Sequence, residues 1–226
     1  MPTFRHVILT RFNVRIEQSA PPDTAWLEDR LSLFERFCLP SVQAQTCPNF
    51  TWLLFCDPEI PVVYLDRIRR YAEWPVLRPT YFRHQFEQAM VRAAVAELAA
   101  GCTHLITTRL DNDDAICRTF VQSVQGCFSG QSFEFVNFTN GYVWCEGRVW
   151  SARHGSNPFI SLIEDATDYS TVYCGNHMEL DEQGPVVQIA EPPGWLQVVH
   201  GRNLSNRVWG RPCADVDLTA EFGIRP

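Results

Sequence analysis

The sequence of 226 residues contains no lysine, and all of its 19 basic side chains are arginine. A Walker A phosphate loop, a Schiff base with pyridoxal or a carbonyl substrate, and a lysine nucleophile each require the ε-amine of lysine. These chemistries are therefore excluded before any motif is considered.

The sequence also lacks a long apolar segment and an excess of positive charge. No stretch approaches the ~20 apolar residues that span a bilayer, so we expect no transmembrane segment. The 26 acidic side chains outnumber the basic ones and give a net charge of −7. Because phosphate contacts supply most of the affinity of nucleic-acid-binding proteins, this balance argues against a nucleic-acid partner. An anionic substrate would need local arginine side chains or a bound cation.

The nine cysteines never form a C-x-x-C pair, and their number is odd. This spacing disfavours both a zinc ribbon and a disulfide framework. The first residues run directly into an apolar strand pattern and show no signal-peptide features. We therefore expect a reducing, cytoplasmic location, with most cysteines buried as small core residues.

Apolar runs of strand length alternate with helical patterns in the first half of the sequence. Residues 7–12, 50–56 and 104–110 are predicted strands, and residues 27–38 and 85–100 carry apolar side chains at helical spacing. Pairing such strands through short helical connections produces a parallel sheet. The pattern thus predicts an α/β fold with a mostly parallel, open sheet flanked by helices.

The second half of the sequence has a different pattern. Aromatic, strand-like pieces begin at Phe133, and Asn140-Gly141 is a typical hairpin signal. We expect a smaller, antiparallel or irregular C-terminal lobe. Because the sequence contains no repeat and no linker, both halves are treated as one domain, residues 1–226.

Polar side chains stand where four of the apolar runs end, namely Arg11, Asp57, Asp111 with Asp113, and His200. In open α/β sheets, ligands bind beyond the carboxyl ends of the strands, where loops from different strands converge. We therefore expect these side chains to form a ligand site.

The acidic segment Asp-Asn-Asp-Asp at residues 111–114 is the clearest candidate for a cation site. Oxygen ligands with one imidazole suit Mg²⁺ or Mn²⁺ better than Zn²⁺. An alternative interpretation is an acidic turn that caps a helix beginning near Ala115. An EF-hand is excluded, because Ile116 stands where that loop requires glycine.

Several segments resemble nucleotide-sugar glycosyltransferases of the GT-A type. Residues 39–57 place the helix end Ser-Val-Gln-Ala-Gln-Thr ahead of a strand that ends in aspartate, and residues 110–114 resemble the D-x-D-D segment of these enzymes. Residues 105–116, 156–159 and 195–206 more closely resemble the bacterial rhamnosyltransferase family, and this resemblance covers nearly the whole chain.

The resemblance implies a GT-A-like, Rossmann-like fold in which residues 1–116 bind the nucleotide and residues 117–226 bind the acceptor. It also implies transfer of a sugar, which the family name gives as rhamnose, from a nucleotide-sugar donor. The acceptor would be a hydroxyl group on a glycan or similar molecule, as in polysaccharide biosynthesis.

Roles for individual residues follow from the same resemblance. Asp57 would contact the nucleobase, Asp111 the ribose or the metal, and Asp113 a Mn²⁺ or Mg²⁺ ion that bridges the diphosphate. His200 matches the position of an imidazole ligand to that metal. A metal would stabilise the charge that develops on the nucleoside diphosphate leaving group. Three arginines would add positive charge beside the donor: Arg11, Arg109 and Arg202.

An inverting transferase also needs a base that takes the proton of the acceptor hydroxyl. Residues 175–180, Gly-Asn-His-Met-Glu-Leu, resemble the segment in which many GT-A enzymes carry that base, and His177 falls at its position. Imidazole is a competent base near neutral pH. Glu164, Asp165 and Glu179 are the alternative candidates.

Two other functions fit parts of the sequence. A nucleotidyltransferase also binds a nucleotide at strand ends, but it usually has a glycine-rich, lysine-bearing first loop, and residues 10–14 contain neither residue type. A non-catalytic carbohydrate-binding protein on a degenerate transferase scaffold would keep an aromatic surface. The aromatic candidates for contact with a sugar are Tyr142, Trp144, Trp150 and Trp195.

Overall fold

The computed structural model describes residues 3–15, 23–83, 85–203 and 207–225. The predicted chain break at Pro21-Pro22 and the last three residues of the segment 195–206 lie outside the described residues. No helix within the described ranges has the length and apolar character needed to cross a membrane.

The secondary structure alternates between strands and helices up to residue 126 and is dominated by strands after it. The strands are β1 (Phe4–Arg11), β2 (Thr51–Cys56), β3 (Leu77–Tyr81), β4 (His104–Arg109), β5 (Ala115–Ile116), β6 (Phe133–Phe138), β7 (Asn140–Cys145), β8 (Arg148–Arg153), β9 (Ser161–Asp165), β10 (Val186–Ile189), β11 (Trp195–Val198) and β12 (Arg211–Cys213). The helices are α1 (Thr24–Leu33), α2 (Leu39–Gln43), α3 (Val62–Tyr71), α4 (Gln88–Ala99), α5 (Phe120–Gly126), α6 (Leu180–Gln183) and α7 (Leu218–Phe222). A π-helical turn, Phe34–Cys38, joins α1 to α2.

A seven-stranded main sheet has the order β10-β6-β9-β4-β1-β2-β3. Strands β4, β1, β2 and β3 are parallel, whereas β9 runs antiparallel to both β4 and β6. The mostly parallel, helix-flanked sheet that the sequence predicted is confirmed. Because β6, β9 and β10 join this sheet, the division between residues 1–116 and 117–226 does not separate the two sheets of the molecule.

The main sheet is buried on both faces. Ile8 of β1 packs in one core together with Leu27 of α1, whereas Val7 and Leu9 pack in the other core together with Val91 of α4. Successive residues of a strand point to opposite faces, so an apolar run without alternation is the pattern of a strand covered on both sides. This burial holds the carboxyl ends of β1, β2 and β4 along one edge of the sheet.

A smaller mixed sheet has the order β12-β8-β7-β11-β5. The predicted hairpin at Asn140-Gly141 is wrong, since these are the first two residues of β7, and β6, which precedes them, belongs to the other sheet. The hairpin lies instead between β7 and β8, where Glu146 and Gly147 both have positive φ angles, of 48° and 79°. Two central residues with positive φ match the twist of the flanking strands.

Candidate active site

Arg11 and Arg109 end neighbouring parallel strands, and both contact Asp111. Arg11 is the last residue of β1, and Arg109 is the last residue of β4. Nη2 of Arg109 donates to Oδ2 of Asp111 at 2.9 Å, and Nη2 of Arg11 donates to Oδ1 at 3.4 Å. Burial alone would raise the pKa of Asp111, but the two guanidinium charges lower it to about 2. Asp111 is therefore an anion held between two arginines.

The pairing of β5 with β11 brings Asp113 to His200. These strands are antiparallel, so the residues before β5 lie beside the residues after β11. Nε2 of His200 lies 3.0 Å from Oδ2 of Asp113, and the Val198 N–H donates to Oδ1 of Asp114 at 2.8 Å. The alternative in which this acidic segment caps a helix at Ala115 is wrong, because that residue begins a strand.

Arg30 of α1 contacts the same carboxylate and was not among the residues selected from the sequence. Its Nη1 donates to Oδ2 of Asp113 at 2.6 Å and to Oδ1 of Asn112 at 3.1 Å. The guanidinium also lies 5.2 Å from the ring of Trp26. The helical pattern marks the apolar face of α1, but it does not tell which polar residue of that helix faces a loop more than 80 residues away.

His177 accepts a hydrogen bond from Arg109. Nη1 of Arg109 lies 2.7 Å from Nδ1 of His177, and arginine has only donors, so Nδ1 carries a lone pair. Burial and the positive charge of Arg109 lower the pKa of His177 to about 4, so its ring is neutral at pH 7. A neutral ring with a lone pair on Nδ1 has its hydrogen on Nε2. In this arrangement His177 is a hydrogen-bond donor, whereas a base would need the lone pair of Nε2.

These side chains line a cavity of about 280 Å³ at the carboxyl edge of the main sheet, which we call the strand-end cleft. Its charged and imidazole side chains come from β1, α1, the end of β4, the acidic segment and the loop before α6. They are Arg11, Arg30, Arg109, Asp111, Asp113, Asp114 and His177. The cleft thus brings three guanidinium groups close to one another.

Asp57 lies at the same sheet edge but does not line the strand-end cleft. It is only 1 % exposed, and Nε of Arg15 donates to its Oδ2 at 2.6 Å. The backbone N–H of Glu59 donates to its Oδ1 at 2.8 Å. Asn13 bridges the loops after β1 and β2, since its Oδ1 accepts from the Asp57 N–H at 3.0 Å. The proposed contact of Asp57 with a nucleobase stays a prediction.

Arg202 lies in a neighbouring cleft that shares Trp26 and Arg30 with the strand-end cleft. It forms an exposed ion pair of 2.8 Å with Asp29 of α1. His200 lines this neighbouring cleft and reaches the strand-end cleft through Asp113.

Glu164 and Asp165 do not lie at the site, and this corrects their selection as candidate bases. They end β9, which runs antiparallel to β4 and pairs Asp165 with His104, the first residue of β4. The two acids therefore lie at the opposite edge of the main sheet. Burial raises the pKa of Glu164 to about 7, and its carboxyl group accepts the backbone N–H groups of residues 170 and 171. The third alternative, Glu179, is exposed and lines neither the strand-end cleft nor its neighbour.

The aromatic candidates are distributed over different parts of the smaller sheet. Trp195 is 1 % exposed, and Trp144 is also buried. Trp150 lines a separate cleft formed with residues 212–219. Trp209, which was not selected from the sequence, is partly exposed and lies near the strand-end cleft, with its ring stacked 6.1 Å from that of Trp195.

The described residues contain no group of three His, Cys, Asp or Glu side chains arranged to hold a metal ion. Beside the strand-end cleft, two suitable donors lie close together, Oδ2 of Asp113 and Nε2 of His200. Mg²⁺ is commonly bound by one or two protein ligands together with substrate phosphates and water. The pair fits a divalent cation of this kind, provided that Arg30 releases Asp113. Asp111 does not join the pair, because two arginines hold it.

The fold is similar to that of solved structures that include two of TarS. TarS 1–349 from S. aureus aligns with a TM-score of 0.51 and 10 % identity, and its complex with UDP aligns with a TM-score of 0.52 and 11 % identity. Each alignment covers 87 % of this chain and 60 % of the TarS chain, so the present chain spans only part of the length of these relatives. A comparison with curated proteins found no match.

The sequence matches a protein family over residues 10–212, which is most of the chain. The match includes all residues of the strand-end cleft, from Arg11 to Asn203, and it confirms the family resemblance carried by the acidic segment. The chain belongs to the family described as "Putative rhamnosyl transferase".

Proposed function

We propose that the protein is a GT-A type glycosyltransferase that moves a sugar, rhamnose by its family, from a nucleoside diphosphate to a hydroxyl group of a glycan or similar acceptor. The observation that carries this proposal is the strand-end cleft, where three arginines and the Asp113–His200 pair converge at the carboxyl edge of the sheet. This edge is where ligands bind in open α/β sheets. The complex of the TarS relative with UDP supports a nucleotide donor.

The negative charge of the leaving group explains why three arginine side chains lie together in the strand-end cleft. As the acceptor oxygen bonds to the anomeric carbon, the bond from that carbon to the diphosphate breaks, and its electron pair leaves with the diphosphate. The hydroxyl proton passes to water. Guanidinium groups of Arg11, Arg30 and Arg109 would stabilise the added negative charge in a site that is partly shielded from solvent.

Asp113 and His200 would hold a Mn²⁺ or Mg²⁺ ion. Such an ion supplies Lewis-acid stabilisation of the departing diphosphate. Arg30 now donates to Asp113, so it would be freed to contact a phosphate oxygen when the cation is bound. Asp111 keeps Arg11 and Arg109 in place through its ion pairs.

The test of this proposal is calorimetry with UDP, dTDP and GDP, with Mn²⁺ and with EDTA, followed by hydrolysis assays of the matching nucleotide sugars. We expect one nucleotide to bind at least about tenfold more tightly with Mn²⁺ and its sugar conjugate to be hydrolysed. Equal binding in EDTA would reject the cation and assign charge neutralisation to the arginines. Release of pyrophosphate from a nucleoside triphosphate and a sugar phosphate would indicate a nucleotidyltransferase. Sugar binding without diphosphate binding would indicate a non-catalytic protein.

His177 provides a second prediction. We propose that it donates a hydrogen bond from Nε2 to the substrate, so His177→Gln, which keeps an N–H donor, should retain donor hydrolysis within about tenfold. His177→Ala should lose about 100-fold, the usual effect of removing a donor to developing charge. The lowered pKa of about 4 means that protonation of His177 should not reduce turnover between about pH 7 and pH 5.

A general base at His177 would give a different result. Glutamine cannot accept the proton, so the Gln and Ala variants would then be equally impaired, and turnover would fall below about pH 5, where the ring becomes protonated. Inversion at the anomeric carbon, which the resemblance implies, is tested separately by the one-bond coupling constant between C1 and H1 of the transferred sugar in the product.

A further inference from the structure

We infer that a second cavity, which we call the tryptophan cleft, binds the acceptor as a pyranose ring stacked on Trp209. This inference rests on the proposed function. The tryptophan cleft has a volume of about 490 Å³, within the range of small-ligand sites. The residues used in the argument are His154, His177, Trp195, Gln197, Arg207 and Trp209.

The tryptophan cleft is continuous with the strand-end cleft. Pro158, His177 and Gln197 line both cavities. A ligand in the tryptophan cleft therefore approaches the strand-end cleft from the side that carries His177. This is the relation required between an acceptor hydroxyl and the anomeric carbon of a donor whose diphosphate lies among the arginines.

The ring of Trp209 is held in one orientation by the side chains around it. Its ring stacks on Trp195 at 6.1 Å, and the ring of Trp195 stacks on Phe159 at 5.4 Å. The rings of His154 and Trp209 are nearly perpendicular with their centroids 5.9 Å apart, and Nε1 of Trp209 donates to Oε1 of Gln197 at 3.2 Å. Trp209 is the partly exposed end of this three-ring stack, whereas Trp195 is buried. A ring fixed in this way loses little conformational entropy when a ligand binds to it.

Three of the polar side chains that line the tryptophan cleft present hydrogen-bond donors: His154, His177 and Arg207. Nδ1 of His154 accepts the backbone N–H of Ser156 at 3.1 Å, and burial lowers the pKa of His154, so the neutral ring carries its hydrogen on Nε2. His177 has the same tautomer, and Arg207 adds a guanidinium group. No carboxylate is present among the described residues that line the tryptophan cleft. Hydrogen-bond donors beside an aromatic face suit a ligand ring that has apolar C–H surfaces and several oxygen acceptors. A pyranoside is such a ligand.

The experiment uses saturation-transfer NMR with methyl α-L-rhamnopyranoside, methyl α-D-glucopyranoside and methyl β-D-galactopyranoside as probes, in the presence of UDP. We expect at least one probe to bind the wild-type protein and its affinity to fall about tenfold in Trp209→Ala, with a smaller loss in Trp209→Phe. Trp150→Ala is the matched control, because Trp150 lines the separate cleft with residues 212–219 and should leave pyranoside binding unchanged.

The affinity for UDP, measured by calorimetry on the same variants, separates ligand binding from a structural role. A structural role of Trp209 would weaken UDP and pyranoside binding together, and this result would overturn the inference. It would also be overturned if Trp209→Phe and Trp209→Ala bound pyranosides like the wild type, or if no probe bound while donor hydrolysis proceeded. Failure of the proposed function gives a different pattern, in which neither UDP binding nor donor hydrolysis is observed.

Discussion

Asp113→Asn should reduce donor turnover by about 1000-fold, near the upper end of the effect of removing one electrostatic group from an active site. The amide keeps the shape of the side chain but removes the charge that faces Arg30 and His200. It therefore removes the only carboxylate of the proposed cation site and leaves the guanidinium of Arg30 without its counter-ion. Turnover is measured as nucleotide release, and Mn²⁺ is titrated into both proteins.

The matched control for this variant is Asp29→Asn. Asp29 also pairs with an arginine in the adjoining cleft, but that pair with Arg202 is exposed and contributes at most about 1 kcal/mol. We expect the control to keep wild-type turnover and Mn²⁺ dependence. Far-UV circular dichroism monitors folding of both variants. If Asp113→Asn stayed within tenfold of the wild type, neither the cation nor the charge of Asp113 would be needed for the reaction.

Gly141→Ala should lower the free energy of unfolding by about 3 kcal/mol, because it overpacks a rigid part of the smaller sheet. A Cβ atom at this position would lie 2.1 Å from the ring of Trp195. Trp195 pairs with Gly141 across β11 and β7 and donates from Nε1 to the Phe138 carbonyl at 2.9 Å. Its ring also stacks on Phe159, so it has little room to move.

The control for Gly141→Ala is Gly126→Ala at the end of α5, where a Cβ atom would meet nothing within 4 Å. Alanine favours helix over glycine, so this change should be neutral or stabilise the protein by up to about 1 kcal/mol. The measurement is urea unfolding followed by tryptophan fluorescence and circular dichroism. A loss below about 0.5 kcal/mol in Gly141→Ala would show that Trp195 can shift and that the aromatic stack is not rigid.

The sequence predicted the parts of the site that depend on strand ends. Apolar runs without alternation identify buried parallel strands, and parallel strands place their carboxyl ends along one edge. That reasoning predicted the common location of Arg11, Asp111 and Asp113, and the structure places all three in the strand-end cleft. It also placed Asp57 at this edge, although the contact with Arg15 that occupies its carboxylate could not be read from spacing.

The predictions from the sequence were wrong where the position of a residue depended on strand direction or on close packing. Glu164 and Asp165 are at the wrong edge because β9 runs antiparallel to β4, and an apolar run gives no information about its direction. Asn140-Gly141 has the composition of a hairpin turn, but Gly141 is required by the approach of the Trp195 ring rather than by a turn.

By itself, the sequence determined the absence of lysine chemistry, the α/β class, the positions of the strand ends and the family. These properties depend on composition and on the pattern of near neighbours along the chain. Only the tertiary structure decided that Arg30 reaches Asp113, that Arg109 leaves the hydrogen of neutral His177 on Nε2, and that Trp209 stacks beside the cleft. Each of these contacts depends on helix rotation, strand direction and register, which are set by the summed packing of many distant residues rather than by any local pattern.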